Sequence, residues 1–333
     1  MLAVAAAVAF IASLALTPSA GWLGRRLGLL DFPDGVRKLH SSPVPKTGGL
    51  AVLAAWCIVA LGAGVDGVVI AVCSSMAALG LLDDAWDLRP LTKLTAQLAV
   101  GTALATTPLV LDVLVVPGLG VFPLGVLAIP VTAVWFAGVV NALNLVDGLD
   151  GLTGGLGLVA GGTLAALLAG ASPALALAAA ALAGALAGFL PTNAHTARIF
   201  LGDGGALFVG AVLACISLEA ATTLSMPAGV LPLAVPLVDT TLTLLRRAVA
   251  RQPLLRGDRG HIHHRLLELG LSHGGAVLLL WGVGMLAAVG ALVAAVAPVL
   301  GTVILGLVGV SAVFTAWRFG YLGESPGRVD LRA

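Results

Sequence analysis

The chain has 333 residues, of which 59% are hydrophobic and only 10% are charged. A soluble domain of this length needs a far more polar surface, so the composition excludes a soluble globular protein and indicates an integral membrane protein. The net charge of +1 gives no indication of a nucleic-acid partner, and none is predicted. Three isolated cysteines, Cys57, Cys73 and Cys215, lie inside apolar runs and are typical of packed side chains rather than disulfides.

Apolar runs that could cross a bilayer recur along the whole chain. About 20 consecutive apolar residues span the hydrocarbon core as a helix, and about eleven runs approach that length. They are 1–20, 48–65, 67–82, 91–110, 122–140, 155–170, 174–191, 205–220, 227–246, 276–297 and 299–317. The sequence therefore predicts an all-α polytopic membrane protein of about eleven transmembrane helices, forming a single integral-membrane domain over residues 1–333.

The positions of lysine and arginine predict how these runs are oriented. If the first run starts outside the cell, the polar segments all fall on one side, and the basic residues fall there too. These segments are 21–47, 83–90, 141–154, 192–204 and 247–275. Basic loops face the cytoplasm, which places the N-terminus outside and the C-terminus inside. The first run has no preceding basic region, which favours a first span over a cleaved signal peptide.

The first polar segment is cationic and contains three prolines that exclude a continuous helix. Its cations are Arg37, Lys38, His40 and Lys46. Two interpretations stay open: capture of an anionic ligand near the bilayer surface, or attraction of a topogenic loop to anionic lipid head groups. Lys46 precedes the pair Gly48-Gly49, which begins an apolar run whose first N–H groups favour anions.

The second polar segment has Asp83, Asp84 and Asp87 at the end of an apolar run. Helical spacing would place Asp87 on the same face as at least one of the other two. Carboxylates this close repel one another unless a cation is present, and Mg²⁺ prefers such oxygen ligands. Ion pairing with Arg89 and Lys93 is the structural alternative.

The third polar segment carries Asn141, Asn144, Asp147 and Asp150, which recur at every third residue. On a helix this period would put all four on roughly one face. Two carboxylates at the end of a membrane segment are costly unless something binds them, so we expect a metal ion or a polar ligand. A polar helix end with turn glycines is the alternative interpretation.

The fourth polar segment contains Asp203, flanked by glycines at the start of the next apolar run. This pattern is typical of a metal- or phosphate-binding carboxylate on a tight turn before a helix. A helix N-cap is the alternative interpretation. Asn193 adds a polar group to the same segment. Phe200 could stack on a base or pack in the core.

The last polar segment places His261, His263, His264 and Arg265 close together as hydrogen-bond donors. Zinc is one possible ligand for such histidines. No Cys pair or HExxH pattern accompanies them, however, and basic donors suit phosphate oxygens better. Asp239 lies inside the preceding apolar run and is a functional candidate without an assigned role.

Five motifs together resemble the polyprenyl-phosphate N-acetylhexosamine-1-phosphate transferase superfamily. They are Arg37-Lys38-x-His40 with Gly48-Gly49, Asp83-Asp84-x-x-Asp87, Asn141-Ala-x-Asn-x-x-Asp-Gly-Leu-Asp-Gly-Leu, Phe200-Leu-Gly-Asp-Gly-Gly, and Asp258-x-x-His261-Ile-His-His-Arg-Leu. The resemblance implies transfer of a sugar 1-phosphate from a UDP-N-acetylhexosamine to undecaprenyl phosphate in the bacterial cytoplasmic membrane, at its cytoplasmic face. The forms of the second and fifth motifs are similar to the N-acetylglucosamine-1-phosphate branch. A muramoyl-pentapeptide transferase is the alternative branch.

The resemblance also implies roles for the residues quoted. Asp203 would be the principal Mg²⁺ ligand, with Asp84 or Asp83 beside it, and Mn²⁺ is a second candidate ion. Asp83, Asp84, Asp203 and His261 would be catalytic. The substrate-binding set would be Lys46, Asp87, Lys93, Asn141, Asn144, Asp147, Asp150, Asn193, Phe200, His263, His264 and Arg265. The bilayer and a second copy in a homodimer are the other partners considered. An ion-coupled transporter and an intramembrane zinc hydrolase are competing functions.

Overall fold

The computed structural model describes residues 1–33, 42–253 and 260–318. Arg37, Lys38, His40 and Asp258, which belong to two of the motifs, lie outside the described residues. Thirteen α-helices are present in the described part of the chain. They are α1 (Leu2–Leu27), α2 (Gly48–Gly62), α3 (Gly67–Trp86), α4 (Pro90–Leu104), α5 (Ala128–Val146), α6 (Leu152–Leu168), α7 (Pro173–Asn193), α8 (Gly202–Thr223), α9 (Met226–Val230), α10 (Ala234–Val249), α11 (Ile262–Glu268), α12 (His273–Val296) and α13 (Pro298–Arg318).

Each of the eleven predicted apolar runs overlaps at least one α-helix. Eight helical segments in the described part of the chain are long and apolar enough to cross a membrane, which makes the protein a multi-pass membrane protein. Two further apolar helices, α2 and α6, have 15 and 17 residues, and α4 has 15. The count of eleven spans stays a prediction, because it depends on whether these three shorter helices cross.

Four short strands among the described residues are an exception to the all-α prediction. The antiparallel pair β1 (Leu30–Asp31) and β2 (Val44–Pro45) flanks the cationic first loop. A hairpin of β3 (Val113–Val116) and β4 (Gly120–Pro123) precedes α5. The predicted run 122–140 therefore begins too early, because its first residues pair as a strand and α5 begins at Ala128.

α8 is the central helix of the fold. It packs against α2, α3, α5, α6 and α7, and almost every side chain from Gly204 to Leu218 is buried. Its composition is apolar all round, which is typical of a helix enclosed by other helices. Trp56 of α2 meets Phe208 of α8 edge to face, with ring centroids 5.5 Å apart. The polar first turn of α8 is therefore held by a rigid, enclosed helix.

The predicted run 227–246 is broken rather than continuous. α9 ends at Val230, a 3₁₀ turn covers Leu231–Leu233, and α10 begins at Ala234. Pro232 and Pro236 explain the break, because each proline removes a backbone donor and obstructs the preceding turn. α10 then carries Asp239 on its buried face.

Candidate functional site

Backbone hydrogen bonds join the first polar segment to the fourth. Phe200 N donates to Pro45 O at 2.8 Å, and Gly48 N donates to Phe200 O at 2.9 Å. Gly49 N also donates to Leu201 O at 2.9 Å. These bonds fix Lys46, at the start of α2, beside the first turn of α8.

Asp84 lies at the meeting point of α2, α3 and α8. Its Oδ2 accepts a hydrogen bond from Gly204 N at 3.1 Å, and its Oδ1 lies 3.3 Å from Lys46 Nζ. Only 2% of the Asp84 side chain is exposed. The carboxylate therefore uses the N-terminus of α8 and one ammonium group as its partners, although it comes from a different helix.

Asp83, the neighbouring residue, takes its cationic partner from α4. Its Oδ2 lies 2.5 Å from Lys93 Nζ, and its Oδ1 accepts from Leu88 N at 2.9 Å. Adjacent acids on one helix thus have different cationic partners. The ion pair with Lys93, which the sequence offered as the structural alternative, is therefore present.

Asp203 completes the group from the first turn of α8. Its Oδ1 accepts from Asn144 Nδ2 at 2.6 Å, and the carboxyl groups of Asp83 and Asp84 lie in electrostatic range. The close approach requires a glycine on α3, because a Cβ at Gly80 would lie 2.2 Å from Asp203 O. Three carboxylates thus converge with two lysines, which leaves an excess of negative charge among the described residues of this group.

The third polar segment does not form one helical face. α5 ends at Val146, so Asn141 and Asn144 are helical, whereas Asp147 and Asp150 lie in the turn before α6. The prediction of a single face is wrong because the glycines after Asp147 end the helix. Burial, with added repulsion from Asp203, Asp84 and Asp150, raises the pKa of Asp147 to about 7. Asp147 thus lies in electrostatic range of the acids of α3 and α8.

Two predicted ligand-binding amides already have protein partners. Asn141 Nδ2 donates to Gln97 Oε1 of α4 and to Ala137 O at 2.7 Å. Asn193 Oδ1 accepts from Gly151 N at 3.1 Å, and its Nδ2 donates to Ile199 O at 3.0 Å. Both side chains hold elements of the site together, and their contact with substrate stays a prediction.

Asp87 and Phe200 differ in their placement. Asp87 ends α3 with a left-handed φ of 49° and is exposed. It does not continue the helix, so the prediction that it shares a face with Asp83 or Asp84 is wrong. Phe200 is half-buried in the segment that pairs with Pro45 and Gly48.

A cluster that the sequence did not reveal surrounds Asp150. His195 Nδ1 lies 3.7 Å from Asp150 Oδ2, which also accepts from Ala197 N at 3.0 Å. The ligand atoms of Asp150, His195 and His273 lie within 4.8 Å of one another. The rings of His195 and His273 are stacked at 22°, however, so their in-plane lone pairs run side by side, which does not favour a shared metal. His273 escaped notice because it begins an apolar run.

The histidine motif docks against the α5–α6 turn through His263. A Cβ at Gly148 would lie 2.4 Å from His263 Nε2, so the glycine provides the space that the ring needs. Burial, followed by repulsion from His264, lowers the pKa of His263 to about 3. His263 is therefore neutral and contributes packing rather than positive charge. His264 and Arg265 remain half-buried beside it.

His261 begins this motif and pairs with the acid that had no assigned role. His261 Nδ1 lies 2.8 Å from Asp239 Oδ2, and Ile262 N donates to Asp239 Oδ1 at 2.7 Å. The rings of His261 and His263 are nearly parallel, with centroids 5.7 Å apart, and do not converge on one point. This arrangement does not support the alternative of a zinc hydrolase.

Comparison with known proteins identifies the family of the chain. The family model of glycosyl transferase family 4 matches residues 67–221. A "Probable undecaprenyl-phosphate N-acetylglucosaminyl 1-phosphate transferase" of Bacillus subtilis is 36% identical over 301 residues, covering 86% of this chain and 84% of the relative. The decaprenyl-phosphate N-acetylglucosaminephosphotransferase of Mycolicibacterium smegmatis is 36% identical, over 78% of this chain and 75% of the relative.

A more distant relative extends the same comparison to a third genus. The undecaprenyl-phosphate alpha-N-acetylglucosaminyl 1-phosphate transferase of Escherichia coli K12 is 29% identical over 293 residues, covering 81% of this chain and 78% of the relative. The family match spans α3 and α8, which supply the converging acids, and α5, which supplies Asn144. With this coverage and identity, the chain belongs to glycosyl transferase family 4, in the branch of the polyprenyl-phosphate N-acetylglucosamine-phosphate transferases.

Proposed function

We propose that the protein transfers N-acetylglucosamine 1-phosphate, or a related N-acetylhexosamine 1-phosphate, from a UDP-sugar to undecaprenyl phosphate and releases UMP. The convergence of Asp83, Asp84 and Asp203 with Lys46 and Lys93 carries this proposal. Phosphoryl transfer depends mainly on positioning and charge neutralisation. The acids and lysines of this group would supply both. The names of the relatives supply the substrate class.

The reaction exchanges one phosphorus–oxygen bond for another. An oxygen of the lipid phosphate bonds to the sugar-bearing phosphorus, and the bond from that phosphorus to the bridging oxygen breaks, so that UMP leaves. A phosphate monoester has a second pKa of about 6 and is mostly dianionic at neutral pH. It needs orientation more than deprotonation. Lys46 and Lys93 are placed to reduce the repulsion between two anionic substrates.

The carboxylates fit a divalent cation as well. Asp203 has Asn144 as its neutral partner and two other acids beside it, so the described charges leave negative charge uncompensated. Mg²⁺ usually binds through one or two carboxylates together with substrate phosphates, and Asp203 with Asp84 or Asp83 would supply them. When bound, Mg²⁺ would neutralise charge on the diphosphate oxygens; Mn²⁺ is the second candidate.

The location proposed is the cytoplasmic face of the bacterial cytoplasmic membrane. Lys46, Asp84 and Asp203 come from the segments that the distribution of lysine and arginine assigns to the inside. A UDP-sugar is a cytosolic metabolite, whereas a polyprenyl phosphate is anchored in the bilayer. A site at this face would meet both. A transporter is disfavoured, because these acids cluster at helix ends rather than near mid-membrane.

The decisive assay uses the purified full-length protein in detergent with undecaprenyl phosphate and Mg²⁺. A panel of UDP-sugars, including UDP-N-acetylglucosamine and the UDP-muramoyl-pentapeptide, is tested for UMP release, and the lipid product is identified by mass spectrometry. We expect a lipid diphosphate N-acetylhexosamine. Release of UMP only from the muramoyl donor would transfer the protein to the alternative branch, and no release from any donor would refute the proposal.

Asp203→Asn tests the acid at the centre of the group. We expect UMP release to fall by at least about 100-fold, the loss typical of removing one charge-stabilising group. Asp66→Asn is the matched control. Asp66 caps the N-terminus of α3, at the end opposite Asp83 and Asp84, and Asn caps helices equally well. Wild-type activity in the Asp203 variant, with the control also active, would remove Asp203 from the site.

A further inference from the structure

Asp239 lies on the buried face of α10 and contacts the histidine motif through both carboxylate oxygens. Oδ2 lies 2.8 Å from His261 Nδ1, and Oδ1 accepts the N–H of Ile262 at 2.7 Å. The side chains of His261 and Asp239 are 6% and 2% exposed. Thr243, one turn further along α10, lies 3.5 Å from the same ring nitrogen. One acid therefore fixes both the ring and the backbone of His261.

A buried carboxylate beside a ring nitrogen has defined chemical consequences. It accepts the proton on Nδ1, which fixes the tautomer and the plane of the ring. It also provides a counter-charge that stabilises a positive imidazole ring. Because Nδ1 already contacts Asp239, the ring would contact a ligand through Nε2.

Packing connects His261 to the turn that carries Asp147. Its ring stacks on His263, which packs against Gly148 in the α5–α6 turn. That turn also holds Asp147, which lies in electrostatic range of Asp203 and Asp84.

We propose that Asp239 is a positioning residue for the transfer reaction: it accepts the Nδ1 proton of His261 and so fixes the ring with Nε2 directed to a phosphate oxygen of the substrates, to which Nε2 donates when it also carries a proton. This inference rests on the proposed function. Asp239 does not touch the substrates itself, and its effect passes through His261.

A purely structural role is the competing explanation, because Asp239 also accepts the first N–H of α11. Asp239→Asn separates the two. Asparagine is nearly the same size and still offers an oxygen to Ile262 N–H, but it removes the negative charge beside the ring. A capping role would survive this change, whereas the pairing with His261 would be weakened.

The test is a double-mutant cycle on the full-length protein, with UMP release measured at saturating UDP-N-acetylglucosamine and undecaprenyl phosphate. We expect Asp239→Asn to lower kcat by about 10- to 100-fold, with a smaller change in KM. His261→Gln should lower kcat at least as much, and the double variant should be no slower than His261→Gln. Independent, multiplicative losses would overturn the proposal, because they would mean that Asp239 acts by another route.

A second readout does not depend on activity. Nitrogen-15 NMR of histidine-labelled protein, with the His261 signals identified by their loss in His261→Gln, reports which ring nitrogen is protonated. We expect the Nδ1–H form in the wild type and loss of that preference in Asp239→Ala. An Nε2–H tautomer in the wild type would overturn the proposal. Absence of UMP release from every donor would refute the proposed function. The NMR result would still test the pairing of Asp239 with His261.

Thr240→Val is the matched control. Thr240 follows Asp239 on α10, and its buried hydroxyl has no hydrogen-bond partner among the described residues. Replacing it by a side chain of similar shape should leave kcat and the His261 tautomer as in the wild type. A loss equal to that of Asp239→Asn would attribute both effects to general disturbance of α10 and would overturn the proposal.

Discussion

Lys46 and Asp84 illustrate how single residues define the site. They are 38 positions apart in the sequence, yet their charged atoms lie 3.3 Å apart. Such a contact between partly buried charges is costly to desolvate unless each charge keeps further partners. Gly204 N–H provides one for Asp84, and the surrounding backbone fixes the distance.

Gly202 is the residue that permits this approach. It has φ of +73°, and a Cβ there would lie 2.0 Å from Lys46 O and 2.8 Å from Asp84 Oδ2. We expect Gly202→Ala to lower UMP release by at least about tenfold and to lower the Tm, because a left-handed alanine costs roughly 1–2 kcal/mol before the clash is counted.

Gly138→Ala is the control for that substitution. Gly138 lies within α5, a Cβ there meets no atom within 4 Å, and alanine is the better helix former. Its activity should match the wild type, with an equal or higher Tm. Both properties are measured on detergent-purified protein, by UMP release and by thermal unfolding. An active, equally stable Gly202→Ala protein would show that this close approach is dispensable.

At the scale of elements, the sequence predicts which segments carry chemistry better than it predicts their shape. Apolar runs and the charges between them locate the helix ends, because bilayer thickness sets run length. The every-third-residue spacing from Asn141 to Asp150 suggests one face, but it cannot show where glycines end the helix. The pairing of Asp239 with His261 was equally hidden, since 22 residues separate them and only packing brings them together.

α11 supplies a pH-dependent contribution to stability through His263. Its pKa is lowered from 6.5 to about 3, chiefly by burial. Between these values the unfolded chain binds a proton that the folded protein does not, so stability falls as pH falls from about 6.5 towards 3. We expect the Tm of the wild type to fall over this range, and His263→Gln to reduce the slope.

His195→Gln is the control for this pH series, because its side chain is 53% exposed. It should leave the slope of Tm against pH close to that of the wild type. The measurement is thermal unfolding in detergent from pH 4.5 to 7.5. An unchanged slope in His263→Gln would contradict burial of a neutral ring at this position.

At the scale of the whole molecule, the topology depends on the shorter helices. α4 has 15 residues, which gives about 22 Å of helix, whereas the hydrocarbon core is about 30 Å thick. If α4 crosses, the residues between it and the β3–β4 hairpin must complete the path. If α4 does not cross, the hairpin lies on the same side of the membrane as Asp87. The distribution of basic residues predicts opposite sides for these two segments, so one of the two assignments would then be wrong.

Cysteine labelling on each side of α4 tests this directly. Leu119 is 73% exposed at the hairpin, and Asp87 is exposed at the end of α3. In a Cys57→Ala background, where the other native cysteines are fully buried, we expect a membrane-impermeant maleimide to label Leu119→Cys in intact cells. It should label Asp87→Cys only in inverted vesicles, because basic loops stay in the cytoplasm. Labelling of both from one side would mean that α4 does not cross, and the count of eleven spans would be wrong.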